Sequence, residues 1–167
     1  GSDKGGLHLK LCLHLAARII SNRLFEQVRE KRGLVYSISF RWQAFQILQG
    51  GIALIQYMPK SGTADATEEA TRQVMAELLR DGFSDSEFVK VQRPVVARSR
   101  DAQSSNGWWL DTMQFLQLGN TPCTASDILD VPDQVEKITK EEVLAAMQTH
   151  WTEGLDRLVT VCGSSTL

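Results

Sequence analysis

The chain has 167 residues, 43% of them hydrophobic and 23% charged, with a formal net charge of −2. That size and balance suit one globular domain with a substantial core. The lack of a basic excess speaks against a general nucleic-acid binder, and no apolar run approaches the roughly 20 residues that span a bilayer.

In chain order, Gly1-Ser2 resembles a tag remnant, so residues 1–6 are set aside as a disordered start and residues 7–167 are read as a single domain. The natural N-terminus and its targeting are left open, with a soluble compartment, cytoplasmic or periplasmic, as the expectation. From 7 to 32 the apolar residues Leu9, Leu13, Ala16, Ala17, Ile20, Leu24 and Val28 recur at spacings of three and four, which predicts one helix with one buried stripe. Gly33 is its left-handed cap, with Lys31 and Arg32 placed to complement the C-terminal dipole. Residues 34–43 alternate: Leu34, Tyr36, Ile38, Phe40 and Trp42 on one face, polar or small residues on the other, as in a half-buried strand. The loop 44–48 is unusually apolar. A second strand over 52–58 is apolar on both faces and is expected to be central in its sheet.

A helix over about 65–80 follows, with Ala70, Val74, Leu78 and Leu79 inward and Gly82 as its stop. Ser84 and Glu87 form a capping box for the next helix, inside which Pro94 is expected to kink or break the run. Past a second interruption at 104–107, Trp108, Trp109, Met113 and Leu116 make another apolar face, read as core or interdomain packing. Thr139 and Glu142 open a last helix to about Trp151, and residues 158–162 form a closing strand. With no repeat or low-complexity tract, this is an α/β (α+β type) domain.

The chemistry-bearing residues are sparse. His8, His14 and His150 fall in neither H-E-x-x-H nor H-x-x-E-H, the arrangements that put two zinc ligands and a base on one helix face. Cys12, Cys123 and Cys162 are odd in number and widely spaced, so they build neither a disulfide framework nor a metal site. There is no nucleophile elbow, P-loop or dinucleotide fingerprint.

Residues 21–39 read S-N-R-L-F-E-Q-V-R-E-K-R-G-L-V-Y-S-I-S. This closely resembles a helix–turn–strand in the second, metal-free, C-terminal-type domain of pitrilysin/insulinase-type zinc peptidases, approximately R-L-F-x-x-L-R-E-K-x-G-L-A-Y-S. The match is ungapped, and Val28 and Val35 are conservative departures from it. Asp81-Gly82-Phe83-Ser84 and the stretch 135–143 also look like that family.

The resemblance implies one mixed, largely antiparallel sheet with helices packed on one face, here truncated at its N-terminal side. It implies the substrate-binding, non-zinc half of an endopeptidase acting on peptides or small proteins, inactive alone. The zinc cofactor and its H-x-x-E-H helix then belong to a partner domain, on the same chain or a second subunit, and this fragment holds no metal. Arg29 and Tyr36 correspond to an arginine and a tyrosine that reach the substrate at the zinc site.

The residues alone leave two readings open. Tyr36 alternates with Leu34, Ile38 and Phe40 and could be a core tyrosine, and Arg29 could be a dipole-complementing surface cation. Arg23, Lys31, Arg32 and Arg41 are read as solvated charges, with a face toward the other domain as the alternative. The competing function is a catalytically silent structural or assembly subunit of the same fold. The abrupt helical start and the apolar Phe45-Gln46-Ile47-Leu48 predict an exposed surface or sheet edge and self-association.

Overall fold

The computed structural model describes residues 4–44, 51–117 and 124–151. The first helix, α1 (Lys4–Leu24), takes in residues 4–6, which the sequence reading leaves as a disordered start. Its burial goes beyond one stripe. Cys12, Leu15 and Ile19 are buried together with Leu13, Ala16, Ala17, Ile20 and Leu24, because a hairpin covers one side of α1 and further helices cover the others. A strip at Lys10, His14, Arg18 and Asn22, four residues apart, keeps contact with solvent.

The helix does not continue as α-helix to Arg32. Phe25–Lys31 is π-helical, with Val28 fully buried at its centre. Gly33, at φ +63°, closes it: its N–H donates to the Arg29 carbonyl and the Leu34 N–H to the Val28 carbonyl. These are the two bonds of a Schellman closure, each spanning one residue more, as the wider π turn requires.

Strands β1 (Val35–Ala44) and β2 (Gly51–Pro59) pair antiparallel as the one sheet among the described residues. The register sets Ile38 opposite Tyr57 and Phe40 opposite Ile55, and a bulge interrupts it between Val35 and Ser37. Ile38 and Phe40 enter the core, and Phe40 and Trp42 meet Trp151 with ring centroids 4.9 and 6.2 Å apart. β2 is not a central strand among the described residues. Ile52, Leu54 and Met58 stay 44–56% exposed on the face away from the helices. The apolar loop at 44–48 and the closing strand at 158–162 lie, but for Ala44 at the end of β1, outside the described residues.

Helices α2 (Ala64–Asp81), α3 (Asp85–Ala102), α4 (Asn106–Gln117), α5 (Ala125–Leu129), α6 (Val131–Lys137) and α7 (Lys140–Trp151) complete the chain. Gly82, at φ +74°, stops α2, and the capping boxes at Ser84/Glu87 and Thr139/Glu142 open α3 and α7 as their spacing predicts. A third box, Thr124/Asp127, opens α5.

Pro94 neither ends nor divides α3, which runs through it for 18 residues. The proline is exposed, so the Lys90 carbonyl, deprived of its helical N–H, can turn to water. On α4, Thr112 rather than Met113 is buried, Met113 being 47% exposed. Trp108 and Trp109 are half-buried and meet edge-on at 4.9 Å. The architecture is α+β: a hairpin on a central helix, with α2, α3, α6 and α7 packed around that helix.

Candidate functional site

The segment 21–39 folds as helix, π turn, Gly33 and strand, and the structure separates its members by role. Arg23 is not a solvated charge. Its guanidinium meets the Glu87 carboxylate at 2.6 Å and 2.7 Å, with both side chains less than a third exposed. It ties the end of α1 to the capping box of α3. Burial alone would raise the Glu87 pKa, but the Ser84 N–H and hydroxyl and the Arg23 guanidinium outweigh it and hold the carboxyl below its ordinary value.

Arg29 stands in the π turn with its side chain 41% exposed. Its guanidinium lies over the Phe25 ring, 4.6 Å from the centroid, and 3.8 Å from the Glu30 carboxylate. The stack is the i,i+4 neighbour relation of a helix surface, worth roughly 0.5–1 kcal/mol at an exposed site. It orients a cation outward without neutralising it. Lys31 pairs with Glu26 at 2.9 Å, and Arg32 donates to Gln73.

Tyr36 is the extra residue of the β-bulge. Val35 before it and Ile38 after it are both buried, which strict alternation forbids and one inserted residue allows. Tyr36 is thereby put out of the core at 58% exposure. The core-tyrosine reading therefore fails, and the tyrosine on the helix-facing side of the hairpin is Tyr57, whose hydroxyl is buried without a partner among the described residues. Arg29 and Tyr36 are not joined by any hydrogen bond or ion pair among the described residues. They flank the Gly33 turn, one at each side.

Phe25 beside Arg29 and Met58 opposite Ser37 are exposed apolar side chains, and Ile52 and Leu54 are exposed farther along β2. Sequence reasoning missed these. The signals were present in the Phe25/Arg29 spacing and in the alternation of Ile52, Leu54, Gln56 and Met58. Cys12 is buried, with its thiol pushed up to about 11, first by burial and then by the Glu142 charge, so it is an inert core residue. Among the described residues, no three His, Cys, Asp or Glu side chains are placed to hold a metal ion.

The family model for the peptidase M16 inactive domain matches residues 6–95, more than half of the chain and all of this site. The chain belongs to that family. Stromal processing peptidase of Pisum sativum is 27% identical to it over 143 residues, which make up 85% of this chain and 11% of that protein. The Arabidopsis thaliana enzyme of the same name is 28% identical over 116 residues, 70% of this chain and 9% of its own length. The chain thus spans about a tenth of the curated relatives it matches.

A crystal structure of the peptidase M16 inactive domain from Pseudomonas fluorescens superposes with a TM-score of 0.71 at 25% identity, covering 84% of this chain and 34% of that one. A conserved protein from Enterococcus faecalis V583 shares the fold, with a TM-score of 0.69 at 15% identity over 83% of this chain and 32% of its own. The M16 inactive domain described here is therefore α+β, as its sequence predicts. No described helix is long and apolar enough to cross a membrane.

Proposed function

We propose that this M16 inactive domain is the substrate-holding half of a zinc endopeptidase, active only beside a partner domain that carries H-x-x-E-H. In this reading the metal's chemistry belongs to the partner, and this chain supplies the second side of the cleft. In this reading the Tyr36 phenol donates a hydrogen bond to the oxyanion that develops when the scissile carbonyl is attacked. A donor that meets the charge only as it forms lowers the barrier rather than tightening ground-state binding. Arg29, held outward on Phe25, binds peptide carbonyls through its fork of N–H groups and keeps its charge at any working pH.

The observation that carries the reading is the bulge at Tyr36. A bulge costs ladder hydrogen bonds, and here it turns out of the core a tyrosine that regular pleating would bury. A silent assembly subunit would leave that phenol without a task.

The test is made in the complete enzyme. Tyr36→Phe removes one donor and is expected to lower kcat about 100- to 1000-fold, or roughly 3–4 kcal/mol. Arg29→Ala should lower kcat/KM more than kcat, because it also loosens substrate. Metal content and Tm should stay unchanged in both variants, and full activity in Tyr36→Phe would sink the proposal.

A further inference from the structure

The solvent strip of α1 does not face open water throughout. His14, Arg18, Ser21 and Asn22 form one wall of a groove, with roughly 650 Å³ of space, whose other walls are β1 at Ser39, Phe40, Arg41, Trp42 and Gln43 and α3 at Lys90, Val91, Pro94 and Arg98. Past His14, Arg18 and Arg98 it continues toward Trp108 and Asp111 on α4.

Three cations, Arg18, Lys90 and Arg98, thus converge on the groove between α1 and α3, and no acidic residue lines that part of it, Asp111 standing only in the continuation. In a chain of net charge −2 this is a local excess. Elsewhere several cations are paired: Arg23 with Glu87, Arg80 with Asp81, Arg100 with Glu136, Lys140 with Asp85. Among the described residues, Arg18 donates to the His14 ring at 3.2 Å and Arg41 to the Gln56 amide, both neutral partners, while Lys90 and Arg98 form no ion pair.

The strand edge adds direction. The Phe40 N–H turns away from β2 and donates to the Ser21 hydroxyl at 3.2 Å. By the alternation of an antiparallel ladder, the N–H and C=O of Trp42 then also point out of that edge. Among the described residues no strand pairs with it.

We infer that this groove binds an extended acidic polypeptide segment, separately from the cleft at Arg29 and Tyr36. Aspartate and glutamate side chains on the segment would meet Arg18, Lys90 and Arg98. Its backbone would run beside β1, where Trp42 and the Lys90 carbonyl freed by Pro94 offer hydrogen bonds. Five consecutive strand residues along one wall, with cations on the facing helices α1 and α3, fit an extended chain better than a compact anion.

The probe is a fluorescein-labelled octapeptide of alternating glutamate and threonine, followed by anisotropy against the full chain at low salt. Arg18→Gln combined with Arg98→Gln should weaken binding at least 10-fold. A control carrying Arg80→Gln and Lys137→Gln has the same net charge, with both changes outside the groove, and should bind as the parent does. The glutamine–threonine octapeptide should not bind, and raising salt from 50 to 300 mM should weaken the acidic one severalfold.

Equal loss in groove and control variants would show that net charge alone is read and would overturn the site. Displacement of the peptide by inorganic phosphate at equal concentration would replace the segment with a small anion. No binding at all would also refute the proposal. Circular dichroism of each variant separates these outcomes from loss of fold.

Discussion

Arg23 and Arg29 are six residues apart in one motif and do opposite things. Arg23 spends its charge inside the molecule, joining two elements through Glu87. Arg29 keeps its charge for the outside. Charge-assisted hydrogen bonds of the first kind contribute about 1–2 kcal/mol when half-buried. Arg23→Gln should therefore lower the urea-unfolding free energy by about that amount near neutral pH.

Since the folded state holds the Glu87 carboxyl below its ordinary 4.5, this stabilisation is fully present above pH 4.5. It is lost as pH falls through the lower folded value. The difference between parent and variant should shrink as pH falls through that lower value, and a difference that does not shrink in acid would exclude the ion pair as its source. The sequence showed the motif but not this division of labour, since Glu87 lies 64 residues away and only the fold brings it near.

At the scale of elements, the periodic helices and their caps were legible because local chemistry decides them. Gly33, Gly82 and the boxes at Ser84 and Thr139 stand where spacing put them. What misled were single residues whose effect depends on surroundings. Tyr36 obeys alternation on paper, and one inserted residue reverses its side. Pro94 reads as a breaker, yet packing of Val91, Val95 and Val96 into the core holds α3 continuous across it. The helix must then still carry the cost of the missing N–H. Pro94→Ala restores that bond and removes a residue about 3 kcal/mol less favourable than alanine in a helix interior. The expected gain is about 1–2 kcal/mol, seen as a rise of roughly 3–6 °C in Tm. An unchanged Tm would mean that the Lys90 carbonyl has another donor.

At the scale of the whole molecule, the hairpin is covered on one face and, among the described residues, bare on the other. Ile52, Leu54 and Met58 line the bare face and are 44–56% exposed. An apolar stripe of this kind is usually covered by a partner, and alone it favours self-association. The parent chain should sediment above monomer mass at tens of micromolar. Leu54→Lys with Met58→Lys should return it to monomer, with Tm nearly unchanged because neither side chain is in the core. A parent that is already a clean monomer would remove this expectation. The same exposure was foreseeable only in part, because the apolar alternation of β2 reads equally well as a strand buried on both faces.

The carbonyl of Leu34 accepts twice, from the Lys60 N–H at 2.9 Å and from the Thr63 hydroxyl at 2.7 Å. It thereby pins the base of the hairpin immediately beside the bulge. A strand that slips by one residue changes the side of every residue along it, so these two bonds keep the Tyr36 phenol in a single setting rather than a shifting average. Slippage should leave a trace in amide exchange. In the parent, the Lys60 amide should exchange only about as fast as the Ile20 amide, buried in the C-terminal part of α1. In Thr63→Val, with one of the two bonds gone, Lys60 should exchange about 5–10 times faster relative to Ile20. The Tyr36 ring signals should broaden or split as neighbouring registers become populated, in a domain whose overall stability has barely moved.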